Sequence, residues 1–141
     1  MRATQLDSLW VKGRILTAVK TLREEDIGKT IFLNSATEFA VTLPEARIGM
    51  SLQFIVKAAP AGANYTIVTR DSDNIIKGQV YTTDVNAGAD PDFETSGADT
   101  ISFVSNKSVV GDRVDLISDG TYWYVSAFCS VYDAITITTA S

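Results

Sequence analysis

The sequence contains no histidine and only one cysteine, Cys129. Without histidine there can be no Ser-His-Asp or Cys-His nucleophilic system, and the commonest zinc ligand is missing. A lone cysteine cannot close an intramolecular disulfide or build a thiolate cage, so the chain neither needs nor signals an oxidising compartment. Phe128 beside it and Val131 just beyond suit a small buried hydrophobe, and no base stands ready to activate the thiol. Long apolar runs are also absent: nothing approaches the roughly 18 residues that span a bilayer. Met1-Arg2-Ala3-Thr4-Gln5 leads into polar and charged residues, not an apolar signal core. A soluble protein made in the cytoplasm, with no membrane partner, is expected. No G-x-x-x-x-G-K-[ST] or G-x-G-x-x-G string signals a phosphate cradle. Basic residues are outnumbered, 12 against 17, for a net charge of −5, which argues against non-specific binding to nucleic acid. No cofactor and no metal are expected.

What the chain does have is a succession of short apolar runs broken by turn residues. At 141 residues it is long enough for one core, with about two-thirds of the unfolded surface buried. The runs 30–34, 39–43, 51–57, 65–69, 75–76, 79–82, 100–104, 112–118, 121–128 and 134–139 read as strands. Phe39, Val41 and Leu43 alternate with Ala40 and Thr42, and Pro44 ends that strand. Leu52, Phe54 and Val56 share a face, while Ile55 opposite them suggests that the other face is covered too. Lys77-Gly78 marks a tight turn or a bulge. Asp119-Gly120 predicts a two-residue type I′ hairpin. Many short strands with no convincing long helix predict an all-β fold, an antiparallel β-sandwich. Residues 1–22, where Gly13 interrupts a loose stripe of Leu6, Leu9, Trp10 and Leu16, read as an N-terminal arm, with a strand in about 14–22. Residues 23–141 then form the sandwich domain. No internal repeat is visible.

Charge is unevenly spread. Residues 1–30 carry six basic groups against four acidic ones, and residues 71–100 carry seven acidic groups against Lys77 alone. Two carboxylate groupings invite a chemical reading. Glu24-Glu25-Asp26 could pair for acid–base work, but a charge run closed by Gly28 reads first as a solvated turn. Asp84, Asp90, Asp92 and Glu94 offer hard oxygen donors, yet their spacing does not match a calcium loop. They fall in 83–99, read as one long exposed loop. Around Trp123, alternation puts Tyr122 and Tyr124 on one side and Trp123 with Val125 on the other. Strand packing accounts for that pattern better than a sugar-stacking platform does. Trp10, outside the expected core, suits an apolar anchor into a partner.

The order of the motifs is familiar. Asp26-Ile-Gly-Lys-Thr-Ile-Phe-Leu-Asn34, Val41-Thr-Leu-Pro44, Ile48-Gly49 and Phe54-Ile-Val-Lys57 come first. Tyr65-Thr-Ile-Val-Thr69, Asn74-Ile-Ile-Lys-Gly78 and Gly111-Asp-Arg-Val-Asp-Leu-Ile-Ser-Asp-Gly-Thr-Tyr-Trp-Tyr-Val125 follow. Over residues 22–128 this run resembles small structural proteins of tailed bacteriophages, especially capsid decoration (cement) proteins and head-fibre modules. The resemblance implies a jelly-roll-like sandwich and a homotrimer at threefold positions on the outer capsid surface of the virion. The major capsid protein would be the partner and shell reinforcement the role; the resemblance implies no catalytic residue. Closed oligomers hide strand edges and bury apolar surface, so Leu6, Leu9, Trp10, Ile15 and Leu16 are expected against capsid or a neighbouring protomer. The competing reading is a carbohydrate- or host-surface-binding module of a fibre or tail, using Trp123 or Tyr124. An enzyme is not expected, since neither a nucleophile with its base nor a repetitive scaffold is present.

Overall fold

The computed structural model describes residues 12–84 and 92–140, with Asp92 described by its backbone alone. Strands β1 (Gly13–Leu16), β2 (Lys20–Thr21), β3 (Thr30–Leu33), β4 (Ala40–Thr42), β5 (Ile48–Val56) and β6 (Tyr65–Val68) fill the first half. Strands β7 (Ile76–Thr82), β8 (Asp92–Ala98), β9 (Thr100–Phe103), β10 (Arg113–Asp119), β11 (Trp123–Cys129) and β12 (Ile135–Thr138) fill the second. They form two sheets, ordered β1-β3-β5-β10-β11-β7-β8 and β12-β9-β6-β4-β2. The fold is all-β and sandwich-like.

The sheets are mixed, which corrects the expectation of an antiparallel sandwich. Up to β6 each strand goes to the sheet opposite its predecessor. Neighbours within a sheet are therefore a full turn of chain apart and run the same way. Arg14, Ile31 and Phe54 stack in register, as do Leu16, Leu33 and Val56. This winding departs from the antiparallel hairpin order of a jelly roll. From β9 onward antiparallel pairs are added, with β9 on β6, β10 on β5 and β11 on β10, while β11 runs parallel to β7 on its other side. Alternation tells which face of a strand is buried but not which strand lies beside it, so the winding left no mark on the apolar pattern.

Of the arm expected over residues 1–22, the described part is woven into the fold. β1 is an edge of one sheet and β2 an edge of the other, in keeping with the strand expected within 14–22. Residues 83–99 were expected to form one exposed loop, yet Asp92–Ala98 pairs with β7 as strand β8. Only Ala98 of its described side chains is buried. An edge strand exposed on both faces has no need of the alternation that would have revealed it.

The core lies between the sheets. Phe54, Val114, Leu116, Trp123 and Val125 on one side meet Val41, Tyr65, Ile67, Ile101 and Phe103 on the other. Two buried aromatics handle their polar ends differently. The Tyr65 hydroxyl accepts the Ser35 N–H at 3.0 Å and donates to the Ala58 carbonyl at 2.8 Å. The Trp123 indole N–H, fully buried, finds no acceptor among the described residues. Between Ile76 and Gly78 the β7–β8 register shifts because β8 sets Thr95, Ser96 and Gly97 against Lys77 alone. The extra residues of the bulge are on β8, while Lys77-Gly78, expected as a turn or bulge, is regular strand in step with β11. Gly78 has φ 144, and a Cβ there would overlap the Val125 carbonyl oxygen.

The β10–β11 hairpin turns one residue later than the sequence predicts. Ser118 faces Trp123 across the ladder, so Gly120 and Thr121 are the central residues. Gly120 has φ 100, whereas Asp119 is not in the left-handed region. The Asp119 carboxylate takes the Thr121 and Tyr122 N–H groups, both at 2.8 Å. Glycine at positive φ in the first central position, with Thr121 outside that region, is the pattern of a type II′ turn and not of type I′, and the Asp119 bonds add to it.

Candidate interaction surface

The seven-stranded sheet turns its second face away from the core, and cross-strand register places the outward side chains in rows. One row runs Ile15, Phe32, Ile55, Arg113, Phe128, Tyr81 across six consecutive strands. At about 4.8 Å per strand it spans about 24 Å. Ile15 is 55% exposed, Tyr81 53% and Phe128 41%, with Phe32 and Ile55 half-buried between them. The Tyr81 and Phe128 rings stack at 5.4 Å with an interplanar angle of 18°. The Arg113 guanidinium lies 5.1 Å from the Phe128 ring centre, within range of a cation–π contact.

The adjoining row is polar: Gly13, Thr30, Gln53, Asp115, Ser126, Gln79, ending in Phe93 on β8. Its members bond to one another. Thr30 Oγ1 donates to Gln53 Oε1 at 3.0 Å, and Gln53 Nε2 donates to Asp115 Oδ1 at 2.8 Å. Asp115 also meets Arg113 at 3.5 Å. The two rows contain neither lysine nor glutamate, and their only charges, Arg113 and Asp115, pair with each other. Beyond the polar row lie Ile117 and Tyr124, opposite each other on β10 and β11 and 59% and 45% exposed. An outward sheet face is ordinarily polar; apolar, aromatic and arginine-bearing surface depleted of lysine and glutamate has the composition of an interface.

Of the contact residues expected from sequence, Leu6, Leu9 and Trp10 lie outside the described residues. Ile15 stands at the β1 end of the apolar row. Leu16, its neighbour, points the other way into the core of its own chain and is 6% exposed. Successive residues of a strand face opposite sides, so the two could not both belong to one surface. Phe32, Arg113, Phe128, Tyr81 and Phe93 were not singled out by sequence reasoning. The available signal was Ile55, apolar on the wrong side of an alternating strand, together with the same feature in Phe32 and Phe128.

The other groupings resolve locally. Asp26 is fully buried, which corrects the solvated-turn reading of Glu24-Glu25-Asp26. Burial opposes its ionisation, but the Arg23 N–H at 3.0 Å and the Arg14 guanidinium at 2.5 Å outweigh that and hold its pKa below the usual carboxylate value. Arg14 occupies, on the edge strand, the inward position that Ile31 and Phe54 fill on the next two strands. An inward-pointing charge blunts a sheet edge. Asp84 accepts the Tyr132 N–H, and Glu94 accepts those of Ser96 and Gly97. Asp90 and the Asp92 side chain lie outside the described residues. Among the described residues no three His, Cys, Asp or Glu side chains converge as a metal site. Cys129 is buried, and burial pushes its thiol pKa up. Trp123 is buried completely, so it offers no sugar platform, whereas Tyr124 is exposed with its hydroxyl donating to Asp119 Oδ2 at 2.9 Å.

No family model matches this sequence, and comparison with curated proteins finds no match.

Proposed function

We propose that this chain is a structural decoration (cement) protein of a tailed-phage capsid, binding the outer shell as a homotrimer and reinforcing it. The reading joins the motif order over residues 22–128 to one structural observation, the charge-poor aromatic and aliphatic row from Ile15 to Tyr81. A protein that functions by lying between other proteins needs such a surface. One that binds the assembled shell and not its parts stabilises the shell by mass action. In this reading the major capsid protein is the partner, no cofactor is used and the protein is not an enzyme.

The test is co-sedimentation of the purified chain with expanded phage capsids, followed by heating of decorated and bare shells. Saturable binding with a raised disruption temperature is the expected result. Absence of binding to shells of every lattice tried would remove the reading. The aromatic surface also keeps a second reading in view, a glycan-binding fibre module using Tyr81, Phe128 or Tyr124. It would gain from binding on a glycan array that is lost with Tyr81→Ala.

A further inference from the structure

We infer that the outward face of the seven-stranded sheet, centred on Phe128 and Tyr81, is where this chain packs against a second copy of itself. The inference deepens the decoration reading and rests on it for the expected count of three chains, though not for the choice of face.

Three observations point to a second copy as the occupant. The first is area. At about 200 Å² per aromatic side chain, the exposed fractions of Tyr81, Phe93 and Phe128 present about 320 Å² of ring surface. That is about two-fifths of the roughly 800 Å² per partner in a standard interface, before Ile15 and the polar row are counted. The second is charge. The chain carries a net −5, so two copies repel over most of their surface. On the two rows the only charges are Arg113 and Asp115, which pair at 3.5 Å, so this face meets a second copy's acidic surface without adding like charge; in a closed ring of three it packs head-to-tail on a different patch of its neighbour. The third is pre-organisation. Thr30, Gln53 and Asp115 already bond to one another, so the polar row can be covered without leaving those groups unpaired. Tyr81 and Phe128 are stacked before any partner arrives, which limits the ordering cost of association.

The experiment is the solution mass of the full chain by light scattering, for wild type, Phe128→Glu and Tyr81→Lys. Trp123, buried in the core, reports folding of each variant through its fluorescence, recorded in parallel samples with Trp10 replaced by phenylalanine. Wild type is expected at the mass of three chains. Both variants are expected at the mass of one chain, with the buried-tryptophan signal retained. Tyr81 is 53% exposed, so its variant keeps the test valid if the Phe128 variant does not fold. Wild type that stays a single chain at the highest attainable concentration overturns the inference. So does a folded variant that keeps the wild-type mass. Shell binding is scored separately. An oligomer that depends on Phe128 and Tyr81 but ignores capsids leaves the face assignment standing and removes the decoration reading. Capsid binding by single-chain wild type does the reverse.

Discussion

Ile15 and Leu16 are adjacent, both aliphatic and nearly equal in size, so truncating each to alanine isolates what the fold does with them. Leu16 is 6% exposed and sits in register with Leu33 and Val56. Removing three carbons from a buried site costs about 2.4 kcal/mol at about 0.8 kcal/mol per methylene, and an unfilled cavity adds to that. β1 is an edge strand, so the site can relax from one side, and the expected total is about 2–3.5 kcal/mol, low in the range for buried leucines. For a chain of this size that is a fall in melting temperature of about 10 °C. Ile15 is 55% exposed, and its truncation should cost about 0.5 kcal/mol or less in the isolated chain. Urea unfolding followed by Trp123 fluorescence, with Trp10 replaced by phenylalanine in every sample, gives both numbers, measured dilute enough that association does not contribute. Equal costs for the two variants, or a Leu16→Ala cost under about 1 kcal/mol, would show that β1 is not packed on the core, and the seven-strand register would be wrong at that edge.

Three further outcomes follow from particular contacts. Asp26 has a folded-state pKa below its unfolded value of 3.8, so its ionised form stabilises the fold; that contribution is complete above about pH 4 and is lost as pH falls through the folded value. Asp26→Asn should flatten the acid limb of urea midpoints against pH, and an unchanged limb would show that another carboxylate dominates it. Gly78→Ala should cost about 3 kcal/mol or more, because φ 144 is nearly closed to other residues and the Val125 carbonyl blocks a Cβ. Gly28→Ala, also at positive φ but with nothing near, should cost only about 1 kcal/mol, and similar losses at both sites would discount the overlap. The hydrogen bond to Asp119 raises the Tyr124 phenol pKa above its ordinary value; in Asp119→Asn a spectrophotometric titration should find it lower, and no movement would mean the contact is not held in solution.

How much of this was legible depended on whether a residue's role was local. The inward faces of β4, β5 and β11 followed from alternation, and Trp123 and Val125 are buried as the pattern predicts. Lys77-Gly78 was read as a turn or bulge, but Gly78 sits in regular strand where Val125 leaves no room for a Cβ, and the bulge is in the β8 residues opposite. The hairpin at Asp119-Gly120 was placed one residue early because Asp-Gly was read as the centre of a type I′ turn, whereas Gly120-Thr121 is the centre, with one positive-φ residue at its first position. The parallel winding of β1 to β6 was not legible at all. From Gly13 to Thr30 is 17 residues and from Thr30 to Gln53 is 23, so turns that superpose in space have different lengths and no period appears in the chain.

The candidate surface falls between these cases, and the reason bears on how such surfaces can be found. Ile55 was conspicuous alone, since one apolar residue on the outward side of an amphipathic strand has no local explanation. The row exists only when Ile15, Phe32, Ile55, Phe128 and Tyr81 are brought level by the register of six strands. These residues lie on five different strands, joined in three places (β1–β3, β3–β5 and β11–β7) by parallel pairing that the sequence does not disclose. An isolated outward hydrophobe is ordinary, and five at one level across a sheet are not. Their alignment is a property of the fold, and a partner acting on that alignment would favour all of them while leaving each strand's own pattern nearly unremarked.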